Sequence, residues 1–203
     1  MSIETSQQYK MRPARSDDAA DIARLVAISS DGIAMIEWQQ QAHKEQRDAL
    51  DVAESIYQIP QGNYSYASAT MIESNSEIAG MLLAFAMPPA TPRNPENRPG
   101  SDDENVFAPY IYLEEPNSWY ICGVAIYAQF RGQGLGTRLM ALANEQAKEK
   151  GFSRLSLVVF EQNAASVRLY GRLGYEVVDR APIVPHPLIH YVGDALLMTR
   201  PVI

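Results

Sequence analysis

The chain has 203 residues, 46% of them hydrophobic and 20% charged, with a formal net charge of -7 at pH 7. That length suits one well-buried domain over residues 1–203 and is short for two, and no apolar run is long enough to cross a bilayer. The acidic balance argues against general nucleic-acid binding, and the single cysteine, Cys122, excludes an internal disulfide and a cysteine-rich metal site, so no metal is expected.

The opening MSIETSQQYK lacks the basic and then apolar pattern of a secretory signal, so a cytoplasmic location is expected. Tyr9 to Arg15 reads as a first strand, after which Ser16, Asp17 and Asp18 offer an N-cap and an acidic first turn. In the helix that follows, Ile22, Leu25, Val26 and Ser29 share a face. Asp31 and Gly32 break that pattern, and a second helical stretch runs from about Ile33 to Ala53. Pro60, Gly62 and Asn63 mark a loop. YSYASATMIES and EIAGMLLAFAM then read as a hairpin turning at Ser74, Asn75 and Ser76.

Residues 88–118 hold seven of the 13 prolines and read as an exposed insertion, longer than connections in compact domains usually are. PRNPENRPGSDDEN has the composition of disorder, whereas VFAPYIYL is apolar enough to pack, so the segment is either a lid or a disordered excursion. SWYICGVAI is a strongly apolar strand in which Cys122 reads as a buried structural thiol rather than a nucleophile. A helix follows with Leu135, Leu139, Leu142 and Gln146 on one face, closed by Lys148, Lys150 and Gly151. RLSLVVF is the next strand, Asn163 caps a helix that Gly174 stops, and YEVVDR and DALLMTR supply two last strands. This order predicts an α/β or α+β sheet with helices on both faces.

The densest signal is RGQGLG, Arg131 to Gly136. A strand, a glycine-rich turn and a helix bring free backbone N–H groups and a helix dipole to one point, where phosphate oxygens bind well. Hydrogen bonds to a charged group contribute about 1.5 to 3 kcal/mol each and outweigh the dipole, so the glycines act chiefly by letting donors approach. The segment from Arg131 to Arg172 holds seven basic and three acidic residues, a net +4, which leaves -11 for the remainder and points to a local anion site. A P-loop would need lysine after Gly136, where Thr137 and Arg138 stand. The dinucleotide fingerprint matches at Gly132 and Gly134, with Glu161 in the place of its ribose-binding acid. It lacks a glycine at Thr137, and YAQFR separates the strand from the turn.

RGQGLG resembles the (Arg/Gln)xxGx(Gly/Ala) acetyl-coenzyme A loop of the GNAT N-acetyltransferase superfamily. NAASVRLYGRLGYE, Asn163 to Glu176, resembles the second signature of that family, and MRPARSDDAADIARLVA its first strand and helix. The resemblance implies a mixed, mostly antiparallel sheet whose splayed parallel pair admits the pantetheine arm. It also implies that the backbone of Val124, Ala125 and Ile126 holds the arm and that Gly132, Gln133, Gly134, Leu135, Gly136 and Thr137, with Arg131 nearby, hold the pyrophosphate. Asn163 is then a helix cap, a contact to the arm, or both, and Tyr170 either faces the departing sulfur or is a core aromatic. The implied activity is acetyl transfer from acetyl-coenzyme A to a primary amine of a small molecule or peptide, by a monomer or homodimer. Alternatives are a non-catalytic acyl-coenzyme A-binding module and an NAD-dependent oxidoreductase.

Acetyl transfer needs a neutral amine, a stabilised oxyanion and a protonated or well-solvated leaving thiolate. With a thiol at about 8.5 and a tyrosine at about 10, proton transfer from Tyr170 is uphill by about 2 kcal/mol. The strand has Tyr120 where some family members place a glutamate, which leaves Glu37, Glu114, Glu115 and His190 as base candidates. His43 and His186 read as exposed and loop residues, and Trp38 and Trp119 as core.

Overall fold

A computed structural model describes residues 9–89, 94–100 and 104–203. β1 (Tyr9–Pro13) leads through a 3-10 turn over Ser16–Asp18 into α1 (Ala19–Ser29). Asp18 does not cap α1 with its side chain. Its carboxylate accepts from both terminal nitrogens of Arg12 at 2.7 and 2.9 Å and from the Arg15 N–H at 2.7 Å. A guanidinium fork binds a carboxylate more strongly than a helix end does, so this residue joins α1 to β1.

The helical stretch expected over 33–53 is two helices, α2 (Ile33–Glu45) and α3 (Ala49–Tyr57). Gln46 turns the chain in the left-handed region at φ 53°, and Asp48 restarts it as an N-cap, accepting from the Leu50 N–H at 2.8 Å. β2 (Ala69–Ser74) and β3 (Glu77–Ala86) form the expected hairpin, whose turn residues Asn75 and Ser76 both have positive φ. The strand starts later than YSYAS suggested, because Tyr66–Ser68 form a 3-10 turn.

Within the insertion, α4 (Ala108–Tyr112) and Leu113 pack into a cluster with Ile36, Phe160, Ile183 and Leu197. Arg98 donates to Asp179 at 2.6 Å and lies over the Tyr112 ring. The described part of the insertion is therefore docked on the body. Residues 90–93 and 101–103, within the stretch of disorder-like composition or next to it, lie outside the described residues.

β4 (Trp119–Ile126), α5 (Leu135–Glu149), β5 (Arg154–Phe160), α6 (Ala164–Arg172), β6 (Glu176–Pro182) and β7 (Asp194–Pro201) complete the fold. Among the described residues the sheet has seven strands in the order β1-β2-β3-β4-β5-β7-β6, antiparallel except for the central pair β4–β5. α5 covers one face through Leu135, Leu139, Met140, Ala143 and Ala147, packed on Leu82, Ile121, Leu157 and Met198. α1 and α3 cover the other through Ile22, Leu25, Val26 and Ala53, packed on Met71, Met81, Leu83 and Ala125. Helices on both faces of a mixed, mostly antiparallel sheet match the expected class.

Candidate active site

The central strands pair only at Trp119 with Leu155 and Tyr120 with Ser156, where the buried hydroxyls of Ser118 and Ser156 meet at 2.6 Å. Beyond that apex β4 stays zipped to β3 as far as Ile126, and β5 to β7 as far as Phe160. Among the described residues the β5-facing edge of β4 from Ile121 to Ile126 thus has no strand partner, and a wedge opens in the sheet. The register of β3 on β4 slips between Leu83 and Ala84, which leaves Cys122 as an extra residue. Such a bulge bends its strand and resets which side chains face which layer. Trp119, Ile121, Val124 and Ile126 therefore share the α5 face, while Cys122 and Ala125 belong to the α1 face.

At the wide end of the wedge, β4 runs through a 3-10 turn at Ala128–Phe130 into the glycine turn and α5. Gly132 and Gly134 have φ of 77° and 76°, a conformation that side chains strain, and a Cβ on either would point into open space. Gly136 already lies inside α5, where a Cβ would meet the Leu169 side chain of α6 at 3.6 Å. Among the described residues, no acceptor is found for the N–H groups of Gly132, Gln133 and Gly134, and those of Leu135, Gly136 and Thr137 open the first turn of α5. The turn is held by Arg131 Nε on the Ile126 carbonyl at 3.0 Å, Tyr9 on the Gln133 side chain at 2.7 Å and Arg138 on the Tyr9 carbonyl at 3.3 Å. Six donors beside an anchored cation fit a diphosphate.

α6 closes the other side of the wedge. Asn163 caps it, accepting from the Ser166 N–H at 3.2 Å, and its amide donates to Asp31 at 3.3 Å. Tyr170 lies against Tyr175 at 5.9 Å between ring centroids. Burial pushes its phenol up to about 12, and the Asp31 carboxylate adds to the shift. Tyr170 is therefore a hydroxyl donor at neutral pH.

A family profile settles what this arrangement belongs to: the Acetyltransferase (GNAT) family matches residues 33–175. The chain belongs to the GNAT acetyltransferase family. It is similar to the uncharacterized N-acetyltransferase YobR of Bacillus subtilis (strain 168), 34% identical over 71 residues, which are 35% of this chain and 26% of that protein. It is also similar to a thialysine N-epsilon-acetyltransferase of Mus musculus, 32% identical over 82 residues, 37% of this chain and 48% of that protein. These alignments span about a quarter to a half of the relatives' own lengths. In fold it resembles a solved acetyltransferase at 24% identity and a TM-score of 0.63, covering 96% of this chain and 100% of that one.

In this GNAT chain the residues expected at the cofactor loop, the wedge and α6 converge, and of the expected bases Glu37 and Glu114 act on Tyr64 while His190 acts on Asp31. Glu115 pairs with Arg154 at 3.8 Å and His43 is exposed. His186 is a loop residue whose Nδ1 accepts from the Leu188 N–H at 3.2 Å. Trp38 and Trp119 are buried in separate core clusters. Cys122 carries a thiol that burial pushes up to about 12, which fits a structural thiol and not a nucleophile. Burial holds the Tyr120 phenol well above its ordinary value, so it does not stand in for a strand carboxylate. On its side of the sheet, Tyr120, Phe85 and Tyr64 form a run of rings at 5.5 and 5.6 Å, with Glu114, its carboxyl raised by burial, acting on Tyr64 and Tyr120.

Sequence reading missed Asp31. In the turn between α1 and α2, at φ 49°, it has the look of an ordinary helix-stop residue, since Asp is one of the few side chains that tolerate this region. Only the fold brings it to Asn163 and Tyr170.

Proposed function

We propose that this chain transfers the acetyl group of acetyl-coenzyme A to a primary amine by direct attack in a ternary complex. The observation that carries the reading is the wedge between β4 and β5 opening onto a glycine turn for whose N–H groups no acceptor is found among the described residues. The backbone of Val124, Ala125 and Ile126 would hold the pantetheine arm, with Asn163 beside it. The N–H groups from Gly132 to Thr137 would hold the pyrophosphate. The Ile126 carbonyl is committed to Arg131, so the arm's amides are left to its neighbours.

Acetyl-coenzyme A supplies an activated acyl carbon and a thiol leaving group. Tyr170 supports the departing sulfur by hydrogen bonding. With its phenol at about 12 and a thiol at about 8.5, full proton transfer is uphill by about 3.5 units, or about 5 kcal/mol, more than a tyrosine of ordinary acidity would face.

For the acceptor we favour a cationic small-molecule amine. The aromatic run of Tyr64, Phe85 and Tyr120 beside Glu114 suits an ammonium on an alkyl chain. The likeness to an enzyme named for acetylating the epsilon amine of thialysine supports the small molecule over the peptide. We take the protein to act as a single domain with a docked insertion at about 88–118, as a monomer or homodimer, in the cytoplasm.

The test is thiol release from acetyl-coenzyme A with lysine, thialysine, spermidine and an amino sugar as acceptors. Amine-dependent release with at least one of them is expected. Stabilisation by acetyl-coenzyme A without turnover on any amine would instead identify an acyl-coenzyme A-binding module.

A further inference from the structure

The proposed chemistry needs a proton acceptor, since an alkylamine at about 10.4 is mostly ammonium at neutral pH. β4 offers none: its inward residues are Tyr120 and the Cys122 thiol. A carboxylate does reach the α6 side of the wedge, where the Asn163 amide donates to Asp31. Asp31 is half-buried in the turn between α1 and α2, and the next residue clamps that turn in place. Gly32, at φ 103°, approaches the Leu188 carbonyl so closely that any Cβ would collide with it, which fastens the α1–α2 turn to the β6–β7 connection.

Four segments meet around Asp31. The α6 cap contributes the Asn163 amide at 3.3 Å, and α6 itself contributes Tyr170. α4 contributes Tyr110, and the β6–β7 connection contributes Tyr191 and the exposed His190, each felt electrostatically. Tyr110, Phe160 and Tyr191 stack in sequence at 6.0 and 5.2 Å to form a wall. The Tyr110 hydroxyl is buried and, among the described residues, has no hydrogen-bond partner. A buried hydroxyl left unpaired is costly, and its presence beside a carboxylate held by one amide marks unfilled polar capacity at this point. Among the described residues no ion pair is found for Asp31, and the basic side chain that acts on it is the exposed His190.

Resting on the acetyltransferase reading, we propose that Asp31 is the catalytic residue that receives the acceptor amine, holding its ammonium and taking its proton, with Tyr110 as a second contact to the same substrate. The ammonium N–H bond breaks toward the Asp31 oxygen, and the nitrogen keeps the electron pair that forms the C–N bond. The C–S bond breaks with its pair on sulfur, under a hydrogen bond from Tyr170, and sulfur takes a proton from water. The remaining surplus proton on nitrogen follows the first through Asp31 to solvent past His190. Carrying this charge has a stability consequence. Burial raises the Asp31 carboxyl, so its contribution to stability is most favourable below the unfolded value of about 3.9 and declines as pH rises through the folded one.

The experiment compares Asp31→Asn with wild type, using whichever of spermidine, lysine and thialysine the wild type acetylates best. Asn tolerates the positive φ and keeps an oxygen for Asn163. We expect kcat near neutral pH to fall about 100-fold or more, with the KM for acetyl-coenzyme A unchanged. The deficit should shrink below about 10-fold as pH approaches the amine's own value of about 10.4, where solution supplies the free base. Tyr110→Phe should raise the KM for the amine more than it lowers kcat. Without any substrate, Asp31→Asn should melt above wild type at about pH 8 and level with it near pH 4. A deficit constant across pH, no deficit, or a lower melting point at about pH 8 would make Asp31 a strut for Asn163 and overturn the assignment while leaving the acetyltransferase reading intact. A wild type that acetylates neither these amines nor an amino sugar overturns both.

Discussion

The hydroxyl of Tyr170 and the backbone of Gly134 act at opposite ends of the same proposed ligand, so their substitutions should separate chemistry from binding. Tyr170→Phe removes one hydrogen bond to a developing thiolate and leaves the ring against Tyr175. A bond to a charged group contributes about 1.5 to 3 kcal/mol, so kcat should fall about 10- to 100-fold while the KM for acetyl-coenzyme A holds, as steady-state kinetics would read directly. Gly134→Val forces a β-branched residue to φ 76° and screens the free N–H groups. Calorimetry should show acetyl-coenzyme A binding weakened by at least about 10-fold, beyond what the backbone strain alone does to the melting temperature. Cys122 gives a third residue-scale outcome. With its thiol near 12, alkylation by iodoacetamide at about pH 8 should be much slower than for a free cysteine of about 8.5. Fast labelling would show that the β4 bulge opens in solution.

Among the elements, the join between β1, the 3-10 turn and β2 rests on Arg12, which bridges Asp18 and Glu73 with both pairs largely shielded from solvent. The hydrogen bond from Arg12 and that from the Arg15 backbone depress the Asp18 carboxyl below its ordinary value. A depressed carboxyl contributes stability above the unfolded value of about 3.9, and that contribution is lost as pH falls through the folded value. Asp18→Ala should therefore cost about 2 to 3 kcal/mol near neutral pH, lowering the melting temperature by roughly 4 to 12 °C, with the difference fading below about pH 4. Each strand and the helices α1, α5 and α6 were legible in the sequence, because a long apolar period or a cap with a following stop marks them. The division of 33–57 into α2 and α3 was not, since Gln46 adopts a left-handed turn that nothing in its chemistry announces. α4 was legible only as an apolar stretch able to pack, its five residues being too short for a helical period.

At the scale of the whole molecule, the two signatures point to the proposed cofactor side of the site because its parts are contiguous: one turn, one strand edge, one short helix. The proposed acceptor side is assembled from the α1–α2 turn, α4, β4 and the β6–β7 connection, and no local pattern joins residues 31, 110, 120 and 190. Charge is the property that spans both sides. The segment from Arg131 to Arg172 carries +4 and the remainder -11, and the carboxylates Asp31 and Glu114 lie with that remainder. A polyanionic acyl donor would thus be drawn by the positive segment and a cationic amine by the negative remainder. Such steering is screened over a Debye length, which shortens from about 30 Å at 0.01 M salt to about 8 Å at 0.15 M. Raising salt across that range should lower kcat/KM for spermidine several-fold more than for a monoamine of similar reach, with kcat little changed for either. Equal salt dependence for the two amines would mean that the acidic remainder keeps the protein in solution without selecting its substrate.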